Sequence, residues 1–156
     1  KQLRPAWSFS TGVLNGHEGA PLVVDGIMYI HTPYPNITFA VSLDDPQKIL
    51  WQDKGEDHPW AMNTGSAAFH DGTVYVPFAS FEELAGGSPT YECCTFRGSV
   101  NAYELETGKR LWKTYLIPEP AKKTGSAEAK APEPTKAPAT KAGSSSKHAG
   151  SKRSRK

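Results

Sequence analysis

The chain has 156 residues, a length that fits a single domain. Its formal net charge of +2 is the sum of two unlike parts, because residues 118–156 carry ten Lys and Arg against three Glu, and residues 1–117 carry eight against thirteen Asp and Glu. No apolar run approaches the roughly 20 residues that a membrane helix needs, so we expect no membrane span. The first residues also lack the pattern of a secretory signal peptide.

Residues 1–117 contain all four Trp, all six Phe and all six Tyr, and their pattern predicts strands and turns. The run APLVVDGIMYIHTP has two β-rich segments around Asp25-Gly26, which predicts a hairpin. Two further strands, separated by a turn, are predicted in TFAVSLDDPQKILWQ. The pattern then recurs: SAAFHDGTVYVPFAS predicts a hairpin around Asp71-Gly72, and SVNAYELETGKRLWKT predicts two more strands.

The two halves align as copies of one unit. The equivalent positions are Tyr29 and Tyr75, Leu43 and Leu105, and Trp51 and Trp112. The second copy is longer by an insertion that contains SFEELAGGSPTYECC. Repeats of about 40–50 residues with four strands are typical of β-propeller blades. The alternative is a small β-sandwich whose two hairpins resemble each other by chance.

We therefore predict an all-β fold: a partial β-propeller over residues 1–117, with two four-stranded antiparallel blades at about residues 7–52 and 60–115. No stretch shows a convincing helical period. Two blades cannot close a ring that normally needs 4–8 of them. We expect either a piece of a larger propeller or a chain whose sheet edges are covered by a partner chain.

Residues 118–156 are predicted to be a disordered, basic, Pro/Ala/Lys-rich tail. This segment has no aromatic residue, so it cannot bury enough apolar surface to offset the entropy of ordering the chain. Its end, SKHAGSKRSRK, could attract anionic partners. Without aromatic side chains for base stacking, the tail does not favour nucleic acid.

Both cysteines of the chain are adjacent, in YECCTFRG. An ordinary disulfide has Cα atoms about 4.4–6.8 Å apart, whereas neighbours across a trans peptide lie about 3.8 Å apart. A Cys93–Cys94 bond would also remove almost no entropy from the unfolded chain, because the loop is so short. The thiols are therefore either free, or paired to make a rigid surface for another group.

Long runs of the sequence resemble one enzyme family. AWSFSTGVLNGHEGAPLVV and MYIHTPYPNITFAVSLDDPQKILWQ resemble the opening blade of the large subunit of methanol dehydrogenases that use pyrroloquinoline quinone (PQQ). HPWAMNTGSAAFHDGTVYVPFASFEE and CCTFRGSVNAYELETGKRLWKTYLIPEP resemble the polyvinyl-alcohol dehydrogenase branch. YELETGKRLW is similar to the Trp-docking motif that locks neighbouring blades in these proteins. The resemblance covers about residues 3–125 and implies an eight-bladed propeller.

The resemblance implies a set of cofactor contacts. The Glu of GHEGAP contacts the quinone in this family, which points to Glu18; otherwise it would be a solvated carboxylate at a strand end. The family also has an adjacent cysteine pair that lies flat against PQQ. Here His58-Pro59 stands at that place, and Cys93 and Cys94 follow a later strand.

The loop that carries the pair should open onto the same face as the loop before the blade's first strand. The resemblance then implies that Cys93 and Cys94 form a disulfide wall against the cofactor, with reduced, exposed thiols as the alternative. The family's usual arginine position is Thr64 here. Arg97 becomes a substitute candidate for binding a cofactor carboxylate, and its alternative role is that of a surface strand residue.

The family implies further components. Its members bind calcium or a lanthanide beside PQQ, and the metal ligands and catalytic aspartate lie in later blades; in this chain we identify no catalytic residue and no metal ligand. The intact relatives oxidise an alcohol and pass electrons to cytochrome c in the periplasm.

We interpret the chain as a fragment of a PQQ-dependent alcohol dehydrogenase that is inactive alone. The alternatives are a non-catalytic propeller-repeat protein used for binding or assembly, and a truncated gene product without function.

Overall fold

The computed structural model describes residues 2–122, which form two consecutive antiparallel sheets. We call the first sheet the first blade; its strands are ordered β1-β2-β3-β4. Each strand pairs with the next one along the chain, as expected for a meander of hairpins. The strands are β1 (Leu22–Val24), β2 (Ile27–His31), β3 (Ile37–Ser42) and β4 (Ile49–Lys54).

The second sheet, the second blade, has five strands. Its elements are β5 (Ala61–Met62), β6 (Ala68–His70), β7 (Thr73–Ser80), the helix α1 (Glu82–Gly86), β8 (Ser99–Glu104) and β9 (Arg110–Tyr115). Strand β7 pairs with β8, and β8 pairs with β9. Two short strands, β5 and β6, pair with opposite ends of β7, so the edge of the sheet beside β7 consists of two separate strands.

The strand registers confirm that the two blades are copies of one unit. In the first blade Tyr29 lies opposite Ala40, and Ala40 lies opposite Trp51. In the second blade the same three places are taken by Tyr75, Ala102 and Trp112. Both blades have a register shift directly after that alanine, at Ala40/Val41 and at Ala102/Tyr103.

The predicted hairpin turns are also present in both copies. Asp25-Gly26 and Asp71-Gly72 have positive φ at both residues, the backbone that tight hairpins with right-handed twist require. The glycine carbonyl then accepts a hydrogen bond from the residue that follows the third strand: Leu43 N–H in the first blade, at 2.9 Å, and Leu105 N–H in the second, at 3.0 Å.

The structure adds two features to the predicted fold. The second blade has the extra strand β5, and α1 lies in the insertion, where no helix is predicted. At five residues α1 is too short to show an amphipathic period. Within residues 2–122, no helix is long and apolar enough to cross a membrane. Most of the predicted tail, residues 123–156, lies outside the described residues.

The blades are joined by the indole of Trp51, which is 8% exposed. Its Nε1–H donates to the carbonyl oxygen of Leu105, at 3.0 Å, and the Tyr29 hydroxyl donates to the same oxygen, also at 3.0 Å. The indole stacks on the Tyr103 ring of the second blade, with centroids 5.6 Å apart. A Cβ at Gly108 would overlap the indole, so the turn of the second blade needs glycine there.

Trp112 is the equivalent residue of the second blade, but no sheet covers it within residues 2–122. Its side chain packs on Tyr75 and is 45% exposed. The side of the second blade that carries Trp112 and Tyr75, the Trp112 face, is the counterpart of the first-blade surface that packs on the second blade. Four apolar residues at and beyond the end of β9 are also exposed, namely Leu111, Tyr115, Leu116 and Ile117.

Polar contacts reinforce the junction at the end of β4. The Asp53 carboxylate accepts from the Tyr103 hydroxyl, at 2.7 Å, and pairs with Arg110. Burial and the nearby Asp53 raise the pKa of Tyr103. Glu56 is buried and pairs with Lys113 at 2.6 Å. Burial alone would raise the pKa of Glu56, but Lys113 and other hydrogen bonds lower it overall.

His31, at the end of β2, is buried without a hydrogen-bond partner for either ring nitrogen in the part of the chain that the structure describes. Burial disfavours the charged imidazolium and lowers the pKa of His31 to about 4. The side chain therefore acts as a neutral ring in the core.

The junction predicts a contrast between the two equivalent tryptophans. Trp51→Ala should cost about 3–5 kcal/mol of unfolding free energy, because it empties a buried aromatic site. The matched change Trp112→Ala should cost about 1 kcal/mol or less, because its site is half exposed. Urea unfolding measures both. Equal losses for the two variants would contradict the docking of Trp51 between the blades.

His31 predicts a loss of stability in mild acid. The unfolded chain binds a proton at the ordinary histidine pKa near 6.5, while the folded chain binds it only near 4, so acid favours unfolding between these values. The stability should fall by about 2 kcal/mol between pH 7 and pH 5 from this residue.

Urea unfolding at both pH values should show that His31→Leu removes most of this dependence. The exposed His70→Gln serves as the control and should retain it. The same pH dependence in His31→Leu as in the wild type would rule out His31 as its source.

Candidate functional site

A mostly apolar cleft lies where the N-terminal segment meets the loops of the second blade. Glu18 is the one carboxylate among the residues that line it. The others are Asn15, Gly16, Tyr34, Pro59, Trp60, Met62, Phe81 and Leu84. We call it the Glu18 cleft. A concave apolar lining with few polar groups is typical of sites for small molecules.

Two loops of the second blade form one wall of this cleft. Trp60 lies before β5, and Phe81 follows β7; the Trp60 carbonyl accepts the Phe81 N–H at 2.8 Å. The Trp60 ring meets Tyr91 of the insertion edge to face, with centroids 5.9 Å apart. The loop before the first strand and the loop after the second strand therefore open onto the same face, as the sequence predicts.

Glu18 is exposed on the N-terminal segment, which has no strand of its own. Its neighbour His17 is fixed by local bonds, with Nε2 3.1 Å from the Thr11 hydroxyl and Nδ1 3.0 Å from the Asn15 carbonyl. These bonds hold the turn that presents the Glu18 carboxylate to the cleft.

Cys93 and Cys94 lie at the exposed end of the insertion, with their sulfur atoms in bonding contact across a cis peptide. Cys93 packs against α1: its Sγ lies 3.9 Å from the Glu82 carbonyl oxygen and would lie 3.1 Å from a Cβ at Gly86. Neither cysteine is among the residues that line the Glu18 cleft. The helix α1 connects the cysteine pair to the cleft, because Cys93 packs against α1 and Leu84 of α1 lines the cleft.

Glu82, the first residue of α1, is a buried carboxylate that sequence reasoning did not identify. Burial alone would raise its pKa, but hydrogen bonds from the N–H groups of Thr95 and Phe96 and from the hydroxyls of Tyr91 and Thr95 lower the pKa to about 2. The side chain is therefore ionised at neutral pH. The sequence shows only two adjacent glutamates, and Glu83 is exposed.

Arg97 lies apart from the cleft in the described residues. Its guanidinium stacks 3.8 Å from the centre of the Tyr115 ring and donates to the Pro118 carbonyl at 2.6 Å. The structure thus places Glu18 in the cleft, the cysteine pair on the insertion beside it, and Arg97 at the end of β9. Within residues 2–122, no three His, Cys, Asp or Glu side chains are grouped as metal ligands.

His58 stands at the place where the sequence resemblance would put the cysteine pair, and it connects the two loops. Its Nε2 lies 2.8 Å from the Thr95 hydroxyl, and its ring stacks on Phe96, with centroids 5.2 Å apart. Because the Trp60 N–H donates to Nδ1, the proton of a neutral ring lies on Nε2 and points to Thr95. His58 therefore braces the segment that follows the cysteines.

The chain is similar to known dehydrogenases over most of its described length. Methanol dehydrogenase [cytochrome c] subunit 1 of Methylorubrum extorquens is 52% identical over 115 residues, which are 72% of this chain and 17% of that protein. The polyvinylalcohol dehydrogenase of a Sphingopyxis species is 46% identical over 77 residues, 49% of this chain and 12% of that protein. No protein-family model matches.

Among solved structures, a europium-containing methanol dehydrogenase is 28% identical, with a TM-score of 0.38 over 72% of this chain and 27% of that one. The chain spans about a sixth of the length of the methanol dehydrogenase subunits it matches. Its relatives include both branches that the sequence resembles. The matched part of the chain belongs to the quinoprotein, PQQ-dependent alcohol dehydrogenases, as a partial member of that family.

Proposed function

We propose that this chain contributes part of the quinone-binding pocket of a PQQ-dependent alcohol dehydrogenase. The observation that supports this most is the Glu18 cleft, which combines one carboxylate with the aromatic side chains of Trp60, Phe81 and Tyr34. A planar aromatic cofactor needs an apolar lining and a small number of polar contacts. The lining of this cleft has that composition.

Each residue would have a separate task in the pocket. PQQ, when bound, would supply the redox chemistry by accepting a hydride equivalent from an alcohol. Glu18 would accept a hydrogen bond from the cofactor, and Trp60 and Leu84 would exclude water from it. Cys93 and Cys94 lie outside the lining of the cleft, and they would have to approach the cofactor to give it a flat disulfide wall.

A contact between Arg97 and a cofactor carboxylate stays a prediction. The guanidinium would first have to leave the Pro118 carbonyl, to which it donates in this structure. Arginine binds carboxylates through paired hydrogen bonds, so such an exchange of partners is chemically possible.

The remaining components belong to the intact enzyme. We propose calcium or a lanthanide beside the quinone, an alcohol as substrate, and cytochrome c as the electron acceptor, in the periplasm. The metal would act as a Lewis acid, and a carboxylate from another blade would take the alcohol proton. The Trp112 face marks where a further blade, from the same or another chain, would continue the propeller.

A titration of the chain with PQQ and calcium, followed by tryptophan fluorescence, tests this proposal. Trp60 lines the cleft, so saturable quenching is expected. Glu18→Gln should raise Kd about tenfold or more, because a hydrogen bond to a charged group contributes about 1.5–3 kcal/mol. Asp44→Asn, in an exposed turn, is the control and should bind as the wild type does.

The possible results separate the proposal from its alternatives. Absence of saturable binding would contradict the cofactor role and favour either an assembly role or an inactive gene product. Binding that Glu18→Gln and Asp44→Asn leave equally strong would show that Glu18 is not a cofactor contact.

A further inference from the structure

The carboxylate of Glu82 takes no part in the blade junction or in the proposed pocket, although it is fully buried and ionised. A buried charge is costly unless it is fully hydrogen-bonded. Its bonds therefore show which part of the structure it serves. All but one of them go to the segment Tyr91–Phe96, which contains Cys93 and Cys94, and the exception is a 3.3 Å bond from Ser80.

The bonds of Glu82 lie on both sides of the cysteine pair. Before the pair, the Tyr91 hydroxyl donates to Oε1 at 2.7 Å. After it, the Thr95 N–H and hydroxyl donate to Oε1 at 2.7 and 3.0 Å, and the Phe96 N–H donates to Oε2 at 2.7 Å. One carboxylate thus fixes residues 91, 95 and 96, and Glu92, Cys93 and Cys94 lie between these fixed points.

Glu82, which anchors the Tyr91–Phe96 segment, is itself held in a fixed position. Glu82 begins α1, and Cys93 packs against Gly86 at the other end of that helix. The Thr95 hydroxyl that binds Glu82 also meets His58 Nε2, so the loop before β5 supports the same point. Two separate loops and one helix therefore converge on the segment that carries the cysteines.

We infer that Glu82 is a positioning residue that holds the Tyr91–Phe96 segment so that Cys93 and Cys94 remain a bonded pair beside the Glu18 cleft. We call the hydrogen bonds from residues 91, 95 and 96 to the Glu82 carboxylate the clamp. The role of the cysteine pair as a cofactor wall rests on the proposed function, whereas the clamp does not require the cofactor. Glu82 acts through the backbone on either side of the pair.

Glutamine cannot replace Glu82 in this clamp. The two carboxylate oxygens each accept a backbone N–H, one from Thr95 and one from Phe96. In either orientation, the NH2 group of a glutamine would face one of these N–H donors, and two donors cannot bond to each other. Glu82→Gln therefore removes the clamp while preserving the length of the side chain.

The test is the redox equilibrium of the pair with glutathione. Reduction takes two glutathione thiols, breaks the Cys93–Cys94 bond, and yields two cysteine thiols and one glutathione disulfide. Alkylation and mass spectrometry give the reduced fraction. Glu82→Gln should raise the equilibrium constant for reduction about tenfold, which equals about 30 mV for this two-electron couple.

Three control variants separate positioning from general loss of stability. Glu83→Gln changes the exposed neighbour on the same helix and should leave the equilibrium unchanged. Trp51→Ala should weaken the fold elsewhere and also leave it unchanged. Tyr91→Phe deletes one bond of the clamp and should shift the equilibrium about threefold in the same direction, which preserves the test if Glu82→Gln fails to fold.

Each outcome decides the inference. Wild-type equilibria in both Glu82→Gln and Tyr91→Phe would overturn it, as would two free thiols in the wild-type chain without reductant. A shift in these two variants alone supports it. If the redox equilibrium shifts in these two variants but the wild-type chain does not bind PQQ, the clamp is supported and the proposed pocket is contradicted.

Discussion

The structure depends on one carbonyl group, that of Leu105. Two aromatic side chains of the first blade, Trp51 and Tyr29, donate to this oxygen from the other side of the blade junction. The oxygen belongs to the turn between the third and fourth strands of the second blade, which is tight because Gly108 has positive φ. Two hydrogen bonds to one acceptor fix the distance and the rotation between the sheets. This contact therefore also determines the relative positions of the loops that line the Glu18 cleft.

The Glu18 cleft is a consequence of that placement. Glu18 and Tyr34 come from the first blade and its N-terminal segment, while Trp60, Phe81 and Leu84 come from the second. A cleft between two sheets keeps its shape only if the sheets do not rotate against each other. The polar contacts of Asp53 with Arg110 and of Glu56 with Lys113 oppose such rotation at the end of β4. The contacts that hold the two blades together therefore also maintain the shape of the Glu18 cleft.

Much of the fold could be predicted from the sequence, because hairpin turns and strand alternation are local signals. Asp25-Gly26 and Asp71-Gly72 marked both hairpins, and Trp51 and Trp112 marked both last strands. The helix α1 and the burial of Glu82 could not be predicted in this way. Glu82 and Glu83 are adjacent and chemically identical, and only the tertiary position of the Tyr91–Phe96 segment distinguishes them.

The site was predictable only through family resemblance. No spacing rule expresses that Glu18 and two loops of the second blade line one cleft, and the engagement of Arg97 with Tyr115 and Pro118 follows from where β9 ends. His58 illustrates the same limit. It stands where the family has cysteines, and its bond to Thr95 supports the cysteine-bearing segment from a different loop.

The turn of the first blade differs from that of the second, and the difference bears on self-assembly. Between Leu43 and Lys48 the first blade has no glycine, whereas the second has Gly108 where the indole of Trp51 rests. A second molecule that offered its Trp112 to the first blade would meet a side chain at that place. Repeating units joined head to tail without closure grow into fibres. The larger residue in this turn therefore disfavours self-association in which Trp112 docks as Trp51 does.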